Sequence, residues 1–511
     1  MAKYKPYDYD QMVMIPVRLK EQLEPGTLEY AIHELVEERI DVSLFEGRFK
    51  NDDTGAPAFD PKILLKIILF AYSRGIIGSR PIERACKENI IFIALGCGFQ
   101  PDHSTIANFV SSMKQEVQSI FCNILLVCEE LNLLGGSHFA IDGLKVSSNA
   151  SKEWSGTFKE LKKKRDKLQK KLQQVLEEHI RTDALSETDS QRREKQKKRL
   201  RRQVDRLDKF LKENSPKPGK TKAEIQSNVT DNESAKMVSS HGVLQGYNGQ
   251  TMVDDKHQII VHAETFGNNQ DHGNLAPMLE GAKNNMQTIG KGKDYFAGKQ
   301  LSADSNYHDK SNLTRCEQEG LDAYIPDPQF RKRDVRFAGQ DRFKDGINPR
   351  KRVKKPSFNK NMFTLADFTF DAEKQYYICP AGKVLKCNVR AHKIRYIRYD
   401  IYRAKEADCS VCALRLNCLS RPQTKRKYLA IPIEDQKLSL AEEMKAKIDT
   451  PEGRRIYAKR LAIVEPVFAN IRWQKRLDRF TLRTKDKVNI QWVLFALVHN
   501  IEKISNYGWA Y

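Results

Sequence analysis

The chain has 511 residues, with 88 Lys and Arg against 66 Asp and Glu, a net charge of +22. That length exceeds one ordinary domain, and a surplus so large favours a polyanionic partner over a small acidic substrate. The longest apolar runs, such as ILLKIILFAY at 63–72, are too short to span a bilayer, and this one contains Lys66.

Residues 1–135 read as a helical N-terminal domain. The N-terminal MAKYKPYDYD has no apolar signal core, so a cytoplasmic, nucleoid-associated location is expected. In that compartment the ten cysteines should be reduced, buried or metal-bound. In FDPKILLKIILFAYSRG, Asp60 suits an N-cap, Pro61 the first helical position and Gly75 a stop. SRPIERACKEN starts in a similar way, and PDHSTIANFVSSMKQEVQSIFCNILLVCEELNLLGG holds two more helices before a Gly pair. Short helices joined by turns suit either a helix-turn-helix-like module or a plain scaffold. Arg74, Arg80 and Arg84 are the candidate phosphate contacts there.

Residues 136–155 read as the first part of an α/β domain, a strand carrying Asp142 in SHFAIDGLKVSS. Residues 156–222 then hold 23 Lys and Arg against 11 Asp and Glu, a net +12. Leu161, Leu168, Leu172 and Val175 form one apolar seam, and Leu200, Val204, Leu207 and Leu211 another, on either side of the polar RTDALSETDS. Two such seams predict an antiparallel helical hairpin, either a spacer or an arm that contacts DNA or another subunit. ENSPKPGKTKAE should be a flexible basic linker.

Residues 223–328 continue the α/β domain. GYNGQTMVDDKHQIIVHAETF reads as a strand hairpin, followed by a helix, a strand ending at Asp304, a helix and a strand. Residues 329–430 form a basic, Cys-rich insertion. Four thiolates on tight turns can hold a structural Zn²⁺, and Cys379, Cys409, Cys412 and Cys418 are the first choice, with Cys387 spare. Buried or free thiols are the alternative. Residues 431–511 form a C-terminal helical part, with Glu465 in RRIYAKRLAIVEPVFANIRWQKR.

Two Asp and one Glu, brought together by folding, can hold two Mg²⁺ ions, with Mn²⁺ as a substitute. The blocks FAIDGLKVSSNAS, GYNGQTMVDDKHQIIVHAETFGNNQDHGNLAPML, LSADSNYHDKSNL and VEPVFANIR stand in that order. Together they resemble the DDE transposases of bacterial insertion sequences, over roughly residues 30 to 505. The closest likeness is to the subgroup with a helical insertion after the first Asp and a Cys-rich segment before the Glu.

The resemblance implies an RNase H-like catalytic domain, a mixed sheet with flanking helices. Asp142 would lie on its central first strand and Asp304 after its fourth. It also implies end binding by the N-terminal region, Mg²⁺-dependent cleavage at terminal inverted repeats, transfer of the 3′-ends to target DNA, and a homodimer holding both ends. The catalytic and metal-binding residues would be Asp142, Asp304 and Glu465. Related hairpin-forming enzymes show Tyr-x2-Arg-x3-Glu-x6-Lys/Arg. Here Tyr457 and Arg460 precede Glu465, but Arg460 stands five residues before it instead of four. Arg472 fits the downstream basic position, and Pro466 should kink or restart the helix. Arg460, Arg472 and Lys475 are candidate DNA contacts. Trp473 is either a base-stacking residue or part of the core. The rival readings are an RNase H-like nuclease that does not join DNA and a DNA-binding protein without catalysis.

Overall fold

The structure, a computed structural model, describes residues 18–48, 57–181, 187–219, 223–239, 242–337, 362–394, 397–421, 423–433 and 439–508. The chain divides into two compact units, residues 1–328 with 444–511, and residues 329–443. The sequence reading ended the Cys-rich insertion at 430.

The first unit is built on a mixed sheet. Its strands are β1 (His138–Ser147), β2 (Ala235–Ser239), β3 (Gly242–Asp254), β4 (Ile260–Phe266), β5 (Gln300–Ala303) and β6 (Asp322–Tyr324). They run in the order β6-β5-β1-β3-β2, with β4 also paired to β3. β1 is antiparallel to β3 and parallel to β5, which is parallel to β6. Leaving β2 aside, the chain order is three strands, a helix, a strand, a helix and a strand, as the RNase H-like resemblance implies. β2 was not foreseen. It lies between the hairpin insertion and β3 and pairs with the start of β3.

The N-terminal helices are α1 (Leu28–Glu38), α2 (Pro61–Ser73), α3 (Ser79–Glu88), α4 (Ile90–Leu95), α5 (His103–Ser112) and α6 (Glu116–Glu130). Asp60 caps α2 by accepting from the Lys62 amide at 2.7 Å, and Gly75, at φ +71°, follows its end. These helices were expected as a domain of their own, yet they share one unit with the sheet.

The cause is the C-terminal part of the chain. It holds α11 (Pro451–Ala469) and α12 (Lys485–Tyr507), which come after α7 and α8 of the hairpin, α9 (Leu275–Thr288) and α10 (Lys310–Gln318). α12 is buried almost all round between β4 and helices α1, α2 and α6. A helix apolar on every side must be covered on every side. Asn500 donates to Ile260 O and accepts from Ile260 N, at 2.8 and 2.9 Å. Gln491 Nε2 donates to the Tyr72 hydroxyl of α2 at 3.2 Å. Trp492 Nε1 donates to Gln250 O at 2.9 Å. Its ring lies so close to β3 that a Cβ on Gly249 would meet it at 2.8 Å.

The basic segment forms the expected hairpin of α7 (Phe158–Arg181) and α8 (Glu187–Glu213). Leu161, Val175, Leu200, Val204 and Leu207 are buried, and the base is plugged by Phe158, Phe210 and Val229. The hairpin leaves the sheet through a short ladder of Ser155–Gly156 against Ser227–Asn228. Much of the expected flexible linker is ordered instead. Lys217–Pro218 pairs with Glu224–Ile225 because the returning chain must satisfy its backbone there; residues 220–222 lie outside the described part.

The second unit is an antiparallel meander of β7 (Thr369–Asp371), β8 (Tyr376–Ile378), β9 (Val384–Ile394), β10 (Ile397–Arg403) and β11 (Tyr428–Pro432). Phe368, Leu385, Tyr402 and Leu429 form its small core. Most of the basic stretch QFRKRDVRFAGQDRFKDGINPRKRVKKP, from residue 338 on, lies outside the described residues.

His499 of α12 is buried, with Nδ1 3.0 Å from Asn470 Oδ1 and Nε2 2.9 Å from Gln258 O. Burial, aided by Lys475, lowers its pKa to about 3. The unfolded chain therefore takes up a proton that the folded chain refuses. The resulting stability is intact above about pH 6.5 and is lost as pH falls toward 3. Thermal melts of His499→Gln should lack that part of the acid destabilisation. A Tm-versus-pH curve parallel to wild type across this window would remove His499 as its source.

Candidate active site

The pairing of β1 with β5 decides which carboxylates meet. His138 to Ile141 face Gln300 to Ala303 in parallel register. Asp142 and Asp304 come next in each chain, so they lie side by side where β5 ends and β1 runs on along β3 to Ser147. Neighbouring strands lie about 4.8 Å apart. Both line a cavity of about 590 Å³ with Lys145, Asp271, Asn306 and Arg472.

Beneath the pair is a polar layer. Gln250 and Asn248 of β3 are fully buried. Both donate to Asp271 Oδ1, at 3.0 and 2.6 Å, and Gln250 Oε1 accepts from the Tyr307 hydroxyl. Asn306 Nδ2 bridges Asp271 Oδ2 at 3.2 Å and Asp304 Oδ2 at 3.4 Å. Gly143 follows Asp142 because a Cβ there would collide with the amides of Gln250 and Asn248. Burial, with Asp271 and Asp142 next, keeps the Tyr307 phenol protonated. Asp271 was missed in the sequence. Its only signal was its place in the polar run NNQDHGN, where a turn-capping Asp is the ordinary expectation.

Arg460 was expected to contact DNA. It is instead 5% exposed and ion-paired to Asp142 Oδ2. It belongs to the buried stripe of α11, with Ile456, Tyr457, Ile463, Val464 and Val467, so it faces the sheet. Asp142 Oδ1 accepts from the Gly143 amide at 2.8 Å. Burial still raises the Asp142 carboxyl to about 6, against the pull of Arg460, with Asp304 acting in the same direction as burial.

Glu465 is exposed and is not among the residues lining the cavity of Asp142 and Asp304. It lies five residues from Arg460, about 140° away around the helix. Pro466 does not break the helix, which runs on through Ala469. Proline removes the bond to the carbonyl four residues back, and that carbonyl, of Ala462, has Gln258 Nε2 at 3.5 Å. A π-turn over Asn470–Gln474 follows. Its wider winding turns later side chains out of the phase of α11. Arg472 thus lines the cavity while Glu465 does not.

Trp473 is 74% exposed, so it is not a core residue. Lys475 is fully buried and paired with Glu502 at 2.5 Å. A DNA contact by Lys475 is therefore corrected to a structural ion pair. In the N-terminal helices Arg80 and Arg84 are exposed on one face of α3. Arg74 is exposed at the end of α2, 3.7 Å from Glu29 and over the Phe70 ring.

In the second unit Cys379, Cys409, Cys412 and Cys418 line one small cavity of about 30 Å³, which Cys387 does not reach. The Lys383 amide donates to Cys379 Sγ at 3.3 Å, the amide-to-sulfur contact expected of a Pro/Gly turn. Burial raises the Cys418 thiol, Lys427 opposes this, and the other three thiols raise it further. Free thiols are found at all ten cysteines.

Among the described residues, no group of three or more His, Cys, Asp or Glu side chains is arranged to hold a metal ion. The donor chemistry around Asp142 and Asp304 nevertheless fits a hard divalent cation. It is all oxygen, and the buried Asp142 carboxylate already draws a positive charge from Arg460. No described helix is long and apolar enough to cross a membrane.

Two family models match the chain. Residues 378–505 match a transposase DDE domain, and residues 17–112 match a transposase domain, DUF772. The first holds Cys379, Cys387, Cys409, Cys412, Cys418 and Glu465; the second holds helices α1 to α5. No curated protein matches the chain.

Removing Arg460 should leave Asp142 half-buried without its cation. Arg460→Met is expected to cost about 3 kcal/mol, the low end for a broken buried pair, because Asp142 keeps some solvent. Urea unfolding near neutral pH checks this, and a loss under about 1 kcal/mol would mean that the pair is not what compensates Asp142.

Proposed function

This chain belongs to the DDE transposases of insertion sequences, and on that premise we propose how it acts on DNA. It binds the terminal inverted repeats of its element, cuts the strands there and joins the freed 3′-ends to target DNA. The observation that carries the reading is the pair Asp142 and Asp304, the first inside β1 and the second just past the end of the adjoining parallel strand β5, both open to one cavity.

Asp142 and Asp304 would hold Mg²⁺, two ions per site and replaceable by Mn²⁺; Glu465, outside their cavity in this structure, would have to enter it to act as the third carboxylate. Such a pair of ions activates a water or a DNA 3′-hydroxyl and stabilises the leaving oxygen. The chain's own residues do the rest. Arg472 and Lys145, on the wall of the cavity, hold the scissile phosphate by charge. Asn306, held by Asp271, keeps the Asp304 carboxylate facing the cavity. Arg460 compensates Asp142 before the cations arrive and fixes β1 against α11. Exposed Trp473 stacks on a base unpaired near the cut.

Arg74, Arg80 and Arg84 contact phosphates of the terminal repeat, and two subunits hold the two ends. The protein acts in the cytoplasm, at the nucleoid. Cys379, Cys409, Cys412 and Cys418 hold a structural Zn²⁺ in the second unit. The shared cavity supports that set over any containing Cys387.

Two measurements test this. With DNA from the flanks of the element and Mg²⁺, the wild-type protein should cut at the ends and form strand-transfer products. Asp142→Asn and Asp304→Asn should each slow cleavage by at least about 100-fold, an order-of-magnitude figure for losing transition-state charge stabilisation, while duplex binding persists. Either variant cutting near the wild-type rate would remove that residue, and cutting without joining would leave a nuclease. Glu465→Ala should behave the same way if the third carboxylate joins the site during catalysis.

Elemental analysis should find about one zinc per chain, as a closed four-cysteine site requires. Zinc should be lost in Cys412→Ser and kept in Cys387→Ser. A zinc-free protein, purified without chelators, would leave only the thiol reading.

A further inference from the structure

A second cavity, of about 580 Å³, adjoins the first, and the two share Ser147, Val243 and Leu244 on their walls. Its charge is of one sign, where the first cavity mixes acids with Lys145 and Arg472. Lys152, Arg206, Arg479 and Arg483 line it, and no Asp or Glu does. The cations come from three places in the sequence. Lys152 follows β1, Arg206 stands on α8 of the helical hairpin, and Arg479 and Arg483 lie just before α12.

The last two are fixed against the extension of the strand that carries Asp142. The Phe480 amide donates to Ser147 O at 2.9 Å, Asn149 Nδ2 to Thr481 O at 2.8 Å, and Arg483 Nε to Asn149 O at 3.0 Å. Thr484 then turns the chain into α12 at φ +73°. A β-branched residue rarely adopts that conformation, and such strain gathers at functional positions. Burial, and next the nearby Arg483, disfavour the charge on Arg206. Arg206 also stacks over Trp154, with Lys164 on the same ring. Like charges held together without a carboxylate in their cavity are stabilised by an incoming anion.

We propose that this cavity is a binding site for the phosphates of the DNA strand that runs on from the bond opened at Asp142 and Asp304, and that the helical hairpin takes part in it through Arg206. The inference rests on the transposase reading. From Asp142 to Ser147 is about 17 Å along the strand, or about five nucleotide steps at 3.4 Å each. The hairpin therefore acts at its base, beside the sheet, as well as through any contact along its length.

The test uses the full chain and a short fluorescein-labelled duplex of arbitrary sequence, with anisotropy read across a range of salt. A cation that neutralises one phosphate contributes about 0.9 to the slope of log K against log salt. The double variant Arg206→Gln with Arg479→Gln should therefore flatten that slope by about 1.8. Both side chains are exposed, so folding is retained. The matching Lys variant, R206K with R479K, should keep the wild-type slope.

Lys195→Gln with Lys212→Gln removes two exposed charges of the same helix outside the cavity and should change the slope less. An unchanged slope in the Arg206 and Arg479 double variant overturns the proposal. So does an equal flattening in the Lys195 and Lys212 control. Either result, with a wild-type protein that still cuts DNA, leaves the transposase reading standing. A wild-type protein that neither binds nor cuts any duplex overturns both.

Discussion

Two carboxylates held side by side on a sheet repel each other, and much of this structure follows from holding them there. The parallel register of β1 and β5 brings Asp142 and Asp304 together. The cost is visible at Asp142, whose carboxyl is raised to about 6 by burial and by Asp304 even with a guanidinium attached. The compensating charge comes from α11, more than three hundred residues later in the chain. That helix must therefore dock on the sheet with Arg460 inward.

The polar layer under the pair serves the same end. Asn248, Gln250, Asp271, Asn306 and Tyr307 form one connected set of hydrogen bonds. A buried polar network of this kind rigidifies the site only when its members are satisfied. Gly143 and Gly249 are the sequence trace of it. One leaves room for the amides and the other for the Trp492 ring that closes β3 from behind. α12, which carries that ring, also draws the N-terminal helices onto the sheet. The match to a transposase DDE domain over 378–505 includes nearly all of this helix, and the match over 17–112 includes α1 and α2, two of the helices it gathers.

The charge around the site is unevenly shared. The acids lie in one cavity with Lys145 and Arg472, and four cations without an acid line the next, along one strand and its extension. A polyanion held by the second is presented to the first. The hairpin accounts for over half the surplus charge in sequence, but Arg206 lines the basic cavity from the lower part of the hairpin. The exposed lysines further along it are solvated and contribute mainly to the long-range field.

The sequence by itself determined the local pieces. Period-2 and period-3.6 patterns found β1, the β3–β4 hairpin, α9, β5, α10, β6 and both helices of the insertion, because each is written in residues a few positions apart. Capping chemistry placed α2 at Pro61, since Asp60 satisfies its first amides without outside help. Family-like blocks picked out Asp142 and Asp304. Only the tertiary structure decided what those pieces face. Arg460 and Lys475 read as DNA contacts because free cations and buried paired ones look alike in a sequence; their partners, Asp142 and Glu502, lie 318 and 27 residues away. Glu465 and Arg472 were assigned one face on the assumption of even helical winding, which the π-turn after Ala469 breaks. Asp271 and the basic cavity could not be read at all, because each is made by side chains from separate strands and helices that meet only once the sheet is assembled.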